Sequence, residues 1–190
     1  MRFKNVLIAL AVQLILYFFH VVPYLEAHDL PRAMSNFDLG LFVLCCSLVV
    51  GSGNVINDVF DQDADEINKP HKRLIGKVLT EKQAIHIYLI MVLIGAVIGL
   101  YLAWAHGRLS WFVIYPLSVL FLFVYSKRLS CVPLIGNFMI AWLCSAYFAV
   151  VVLVEWSGME LSLLDAEDNT TFWPVFWAFS IFTFLLTFTR

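Results

Sequence analysis

A short stretch of the sequence carries acidic and amide side chains at spacings that suit metal binding. From Asn54 to Asp65 it reads Asn-Val-Ile-Asn-Asp-Val-Phe-Asp-Gln-Asp-Ala-Asp, after an apolar run long enough to cross a membrane. At about 100° per residue, most of these polar side chains fall on one face of a helix. That face, called the acidic face below, comprises Asn54, Asn57, Asp58, Asp61 and Asp65.

The spacing distinguishes the acidic face from a segment that is merely rich in acids. Asp63 lies about 140° from Asp58 around the same helix and points away from the others. Carboxylate and amide oxygens suit Mg²⁺, which binds one or two carboxylates and leaves its other positions to water or substrate phosphates. The alternative is a solvated helix end whose acids pair with nearby Lys and Arg. Placing ionisable groups beside a membrane span costs free energy, and this favours a functional role over the solvated helix end.

The composition predicts an all-α integral membrane protein. The 190 residues are 62% hydrophobic, 16% aromatic and only 14% charged, too apolar for an ordinary soluble domain. Apolar runs near the roughly 20 residues that cross the hydrocarbon core predict six transmembrane helices in a single domain, residues 1–190. The predicted spans are Val6–Tyr24, Phe37–Ile56, Ala84–Trp104, Leu109–Tyr125, Val132–Val154 and Phe172–Thr189.

The basic residues predict the orientation of these spans. Ten of the twelve fall on one side of the membrane, and only Arg32 and Arg108 on the other. The positive-inside rule therefore predicts a multi-pass protein of the cell inner membrane with both termini cytoplasmic and the acidic face open to the cytoplasm. The net charge of −2 indicates no nucleic-acid partner.

Four hydrophilic segments connect the predicted spans. Residues 25–36 form an outer turn, 57–83 a long cytoplasmic loop, 126–131 a short basic cytoplasmic turn, and 155–171 an acidic outer loop that includes Glu155. The long loop follows the acidic face with basic residues on a stretch that Pro70 and Gly76 keep from being helical. Those residues either bind phosphate or only fix the topology.

Carboxylates beside basic residues at a membrane surface suit a substrate with a diphosphate head and a hydrocarbon tail. Mg²⁺ bridges the Asp oxygens to the diphosphate, Lys and Arg neutralise its remaining charge, and the apolar bundle holds the tail. This arrangement stabilises charge on a departing diphosphate, which leaves an allylic carbocation for an acceptor. Catalysis would come chiefly from electrostatics and positioning.

Three motifs resemble those of the UbiA-type intramembrane prenyltransferases. The stretch Asn57–Asp65 fits the family's N-D-x-x-D-x-x-x-D signature, and Glu66–Pro70 is similar to its D-x-x-I-N-[RK]-P continuation. Tyr125–Leu129, followed by Gly136 and Asn137, is similar to its Y-S-x-x-L-K-R…G-N stretch. The first motif is the most specific. The continuation leans towards members that act on geranylgeranyl groups.

The resemblance assigns roles to individual residues. Asn57, Asp58 and Asp61 would hold Mg²⁺ and the diphosphate, and Asp65 would complete that half-site. Asn54, one turn earlier on the same face, would assist in binding the substrate.

The other matching positions are basic or aromatic. Tyr125 and Arg128 correspond to catalytic positions that contact the diphosphate or shape the pocket near the reacting carbon, and Lys127 is an adjacent substrate-binding candidate. Tyr125 could instead anchor its helix at the membrane interface. The candidate phosphate clamps of the long loop are Lys69, Lys72 and Arg73.

The resemblance also implies a nine-helix bundle with two Asp-rich motifs, the second after the sixth helix. This sequence reaches Thr189 and Arg190 where the second motif would begin. We therefore expect an apparently truncated member, equivalent to the N-terminal two-thirds of the bundle, and weak or inactive as a catalyst by itself.

The leading hypothesis is a Mg²⁺-dependent membrane prenyltransferase. It would transfer a polyprenyl group from a prenyl diphosphate to an aromatic or glycerol-phosphate acceptor. The alternative is a noncatalytic remnant or subunit that binds Mg²⁺ and prenyl diphosphate. A small cation transporter would need acids near mid-membrane, whereas these lie at a helix end.

Overall fold

The computed structural model describes residues 3–63, 66, 75–130, 132, 134–159 and 172–188, without the side chains of residues 3–5, 156–159 and 186. Apart from one isolated bridge between Ile75 and Leu79, the regular structure of these residues is helical. The helices are α1 (Phe3–Leu16), α2 (Val22–Ala27), α3 (Asn36–Phe60), α4 (Glu81–Ala105), α5 (Ile114–Val124), α6 (Ile135–Met159) and α7 (Phe172–Phe188).

Two π-helical turns and one 3₁₀ turn join or extend these helices. A π turn at Tyr17–Val21 connects α1 to α2, the 3₁₀ turn Leu109–Val113 precedes α5, and a second π turn, Tyr125–Leu129, continues α5. The first π turn comes just before Pro23, which has no N–H for a regular helical hydrogen bond. The chain therefore keeps a continuous rod from Val6 to Ala27.

The helices confirm the predicted all-α membrane architecture. Five segments are long and apolar enough to cross a membrane, and they correspond to the first five predicted spans. The sixth predicted span is the apolar helix α7, which is shorter at 17 residues. Lipid offers no hydrogen-bond partners, so each span satisfies its backbone groups within a helix. The protein is therefore an integral membrane protein.

Polar side chains define where two of the central helices begin. Ser35 caps α3 by accepting a hydrogen bond from the Asp38 N–H (3.1 Å). Thr80 and Gln83 form a reciprocal capping box at the start of α4. Such caps satisfy backbone donors that have no partner inside the helix. The predicted loop 57–83 is consequently shorter, because α3 continues to Phe60 and α4 begins at Glu81.

The main hydrophobic core lies away from the acidic face. It joins the later part of α1, the π turn at Tyr17–Val21 and α2 to the first half of α3, the second half of α6 and the start of α7. Because neighbouring spans run in opposite directions, these parts meet at one end of the bundle. The end where α3 stops is called the acidic end here, and the core end lies opposite.

One prediction about the core end is wrong. Glu155 was expected in a solvated outer loop, but it lies within α6 and is fully buried. Its carboxylate accepts hydrogen bonds from the Tyr17 hydroxyl (3.0 Å) and from the backbone N–H groups of Ala33 (2.6 Å) and Met34 (3.2 Å). Three donors replace water around the charge, which is what burial of a carboxylate requires. Residues 160–171 lie outside the described residues.

Candidate functional site

The acidic face occupies the last two turns of α3. The helix places Asn54, Asn57 and Asp58 before its end at Phe60, and Asp61 caps it with its N–H bonded to the Asn57 carbonyl (2.9 Å). Asp65 lies outside the described residues. The structure therefore brings four of the five predicted residues to one helix end, within about 10 Å along its axis.

A hydrogen bond fixes two of these side chains relative to each other. The buried Asn57 amide nitrogen donates to the carboxylate of Asp61, one helical turn away. This contact holds Asp61 on the predicted face and leaves the Asn57 amide oxygen available as an acceptor. Asn57 therefore orients the Asp61 carboxylate and keeps its own amide oxygen free of that contact.

Asn54 carries an unused hydrogen-bond donor. Its amide nitrogen is buried and has no hydrogen-bond partner among the described residues. A buried N–H group without a partner costs free energy that an acceptor would recover. An oxygen of a bound phosphate group would supply such an acceptor, and the substrate-binding role of Asn54 stays a prediction.

The electrostatics of this helix end favour a cation. Asp58 and Asp61 are negative charges at the C-terminal end of α3, where the helix dipole is also negative. Both carboxylates and the helix dipole would attract a cation bound there. The described residues contain no group of three or more His, Cys, Asp or Glu side chains that could hold a metal. Mg²⁺, however, needs only one or two carboxylates with further oxygens from amides, water or phosphate, so this donor set fits it.

A second element brings basic residues to the same end. The π turn Tyr125–Leu129 packs against α3 and α6, and it contains the predicted residues Tyr125, Lys127 and Arg128. Lys127 and Arg128 are exposed, and the Lys127 ammonium lies 5.8 Å from the centre of the Phe123 ring. Widened helical turns of this kind are frequent at functional sites.

Close helix packing holds this turn beside α3. The Phe60 and Phe123 rings meet edge to face with centroids 5.6 Å apart. A Cβ atom at Gly53 would lie 3.0 Å from a methyl group of Leu122. The glycine therefore lets α5 approach the helix that carries the acidic face. Gly53 lies outside the three sequence motifs and was not predicted to have a role. A glycine inside an apolar helical run is nevertheless a signal that another helix packs closely there.

Gly136 supports the turn from the other side. A Cβ atom there would collide with the carbonyl oxygen of Leu129, the last residue of the π turn, and would contact the Tyr125 ring at 3.7 Å. The family motif includes this glycine, and the structure supplies a physical reason for it. Only the absence of a side chain allows α6 to start so close to Tyr125.

We expect Gly136→Ala to displace the π turn and destabilise the protein by about 1–3 kcal/mol, the usual cost of overpacking. Thermal unfolding in detergent measures this loss. Gly40→Ala is the matched control, since a Cβ atom there meets nothing within 4 Å among the described residues. Equal unfolding midpoints for the two variants would contradict the assigned role of Gly136.

The predicted phosphate clamps Lys69, Lys72 and Arg73 lie outside the described residues, so their role stays a prediction. The structure unites Asn54, Asn57, Asp58 and Asp61 on α3 and places Tyr125, Lys127 and Arg128 on an adjoining turn.

Comparison with known proteins finds one family whose model matches this chain, and a set of similar proteins. The model of the UbiA prenyltransferase family matches residues 16–190. The chain is 30% identical over 151 residues to digeranylgeranylglyceryl phosphate synthase of Methanosarcina mazei, covering 78% of this chain and 50% of that protein. It is 31% identical over 120 residues to the synthase of Methanococcus aeolicus, covering 60% and 41%. For the Pyrococcus horikoshii synthase the values are 35% over 96 residues, covering 50% and 32%.

The chain spans half the length or less of these curated relatives. No solved structure matches it.

Proposed function

Since this chain belongs to the UbiA prenyltransferase family, we propose that it acts in Mg²⁺-dependent transfer of a prenyl group from a prenyl diphosphate to a glycerol-phosphate acceptor. The observation that carries the proposal is the acidic face at the end of α3. Two carboxylates and two amides meet there, beside a turn with two exposed basic residues, in a chain that is otherwise strongly apolar.

Each residue of the site has a proposed task. Asp58 and Asp61 hold the metal, Asn57 orients Asp61 and contributes its amide oxygen, and Asp65 completes the set. When held by these residues, the metal would neutralise charge on the diphosphate and so favour its departure. The Asn54 amide donates to a diphosphate oxygen.

The basic and aromatic residues act on the same substrate. Arg128 donates hydrogen bonds to the diphosphate, with Lys127 beside it, and Tyr125 borders the reacting carbon. Lys69, Lys72 and Arg73 supply further positive charge. The apolar surfaces of the spans accommodate the hydrocarbon tail, because they are as apolar as the lipid around them.

The location and acceptor are also part of the proposal. The distribution of basic residues supports an inner-membrane protein with the acidic end in the cytoplasm and both termini on that side. Among the two acceptor classes predicted from sequence, the names of the relatives favour glycerol phosphate over an aromatic compound. We treat residues 1–190 as one transmembrane domain.

The test separates binding from transfer. The full chain, reconstituted in lipid nanodiscs, is incubated with radiolabelled geranylgeranyl diphosphate in Mg²⁺ or in EDTA, with geranylgeranylglyceryl phosphate or 4-hydroxybenzoate as acceptor. We expect retention of the label that EDTA reduces at least about tenfold, because the diphosphate would be held largely through the metal. We also expect a labelled product with the glycerol-phosphate acceptor.

The outcomes distinguish the two hypotheses from sequence. Transfer supports the enzyme. Retention that depends on Mg²⁺ without transfer to either acceptor identifies a noncatalytic binding protein or subunit. No Mg²⁺-dependent retention of the diphosphate contradicts both.

A further inference from the structure

One residue of the long loop between α3 and α4 is unexpectedly buried. Ile75 lies in a segment predicted to be hydrophilic, yet only 4% of its surface is exposed. It forms a small apolar cluster with Ile56 and Val59 of α3 and with Ala84 of α4. The nearby Val78 is 73% exposed, so burial is specific to Ile75 and not a property of the whole turn.

A tight turn presents Ile75 to α3. The Gly76 N–H donates to the Leu79 carbonyl (2.7 Å), and Gly76 has a φ of +88°, which a residue with a side chain rarely adopts. The turn leads directly to the capping box of Thr80 and Gln83 that begins α4. The position of the turn is therefore determined by two features. Gly76 allows the tight bend, and the start of α4 anchors the residues that follow.

The contact lies behind the acidic face. Around α3, Ile56 and Val59 are each about 150° from the centre of that face, and they flank Asn57 and Asp58 in sequence. Ile75 therefore packs against the same two helical turns that carry the metal-binding side chains, on the side opposite to them. Apolar packing there opposes the charge repulsion that tends to unwind the end of α3.

We propose that Ile75 is a positioning residue for the acidic face: by packing behind α3, it keeps Asn57, Asp58 and Asp61 in the geometry that binds Mg²⁺ and a prenyl diphosphate. The assignment deepens the proposed function and rests on it. Ile75 does not touch the substrate in this scheme. It acts through Ile56 and Val59.

The first experiment measures metal dependence. For Ile75→Ala we expect the Mg²⁺ concentration needed for half-maximal retention of geranylgeranyl diphosphate to rise about tenfold, because a core Ile→Ala change removes most of the packing that supports the site. Saturating Mg²⁺ should restore retention. Ile75→Val should retain most of the affinity, and Val78→Ala on the exposed side of the same turn should match the original chain.

The second experiment does not depend on substrate. Hydrogen exchange followed by mass spectrometry reports the opening of the last turn of α3, where the Asp61 N–H bonds to the Asn57 carbonyl. In Ile75→Ala we expect exchange there to accelerate about tenfold or more. Exchange at Leu39–Val43, in the main core, should not change.

The results separate this inference from the proposed function. If the original chain shows no Mg²⁺-dependent retention, the proposed function fails, while exchange at Asp61 still decides whether Ile75 holds the helix end. Unchanged exchange at Asp61 in Ile75→Ala overturns the inference. Unchanged Mg²⁺ dependence in a chain that does bind overturns it as well, because a residue that supported only global stability would lower the unfolding temperature without altering metal affinity.

Discussion

Asp58→Asn is expected to reduce Mg²⁺-dependent retention of geranylgeranyl diphosphate, and any transfer from it, by about 100-fold or more. Asparagine keeps the size of the side chain and one oxygen but removes the negative charge that holds the metal. Losses of 10–100-fold are typical when a residue that only supports a metal ligand is changed, and loss of a ligand should exceed them. Titration of Mg²⁺ against retained label measures the effect.

The chain provides a closely matched control for this variant. Asp63→Asn removes the same charge five residues further along, at an exposed position that lies about 140° from Asp58 around the helix. We expect its Mg²⁺ titration to match that of the original chain. If both variants lose affinity equally, the site depends on general negative charge and not on the acidic face. If neither does, Asp58 is not a ligand.

Asn57→Ala should show an intermediate loss, because Asp61 keeps its charge but loses the amide that orients it.

The largest effect on stability is expected at the core end, from Glu155→Ala. This change removes a buried carboxylate and leaves the Tyr17 hydroxyl and the N–H groups of Ala33 and Met34 without their acceptor. Loss of one partner from a buried charged network costs about 3–5 kcal/mol. Unfolding of the purified protein in mixed detergent and SDS micelles measures the free energy.

Two milder variants test the reason for this loss. Glu155→Gln retains an acceptor oxygen in a side chain of similar shape, so we expect a smaller decrease. Tyr17→Phe removes a single donor and should cost least, about 1–3 kcal/mol for one hydrogen bond to a charged group. The explanation fails if Glu155→Ala unfolds at the same SDS fraction as the original chain.

Variants of Glu155 and of Asp58 are expected to affect different properties, folding stability and Mg²⁺ binding. Glu155 lies at the core end, in contact with the turn before α3, whereas Asp58 lies at the other end of the same helix. We expect Glu155→Gln to lower stability while leaving the Mg²⁺ titration unchanged. Asp58→Asn should change the Mg²⁺ titration without lowering stability. Removing a negative charge from the C-terminal end of a helix relieves an unfavourable interaction with the helix dipole.

Much of the candidate site was predictable because the governing signal is local. The positions of Asn54, Asn57, Asp58 and Asp61 on one face follow from the helical repeat alone. The structure confirms that α3 continues far enough to carry them. Their side-chain hydrogen bonds and their surroundings were not predictable in this way. The hydrogen bond from Asn57 to Asp61 depends on rotamers, and the approach of Tyr125 depends on Gly53 and Gly136, which belong to different helices.

The burial of Glu155 and the burial of Ile75 were missed for the same reason. Glu155 and Ile75 were judged by their neighbours in sequence, as part of an acidic loop and of a hydrophilic loop. Glu155 is buried because donors from residues more than a hundred positions away surround it. Ile75 is buried because the following turn directs it onto α3. The partners of Glu155 and of Ile75 therefore could not be identified from the residues adjacent to them in sequence.

The sequence alone therefore determined that the chain lies in a membrane, how its spans are ordered, and which side chains share the acidic face. Hydropathy and helical periodicity decide these properties, and both are read along a continuous stretch. The tertiary structure decided what surrounds each residue: the donors around Glu155, the packing of Ile75 behind the acidic face, and the turn of Tyr125 beside it. Those contacts join segments far apart in the chain, and they form only where the geometry of the packed helices brings complementary groups together.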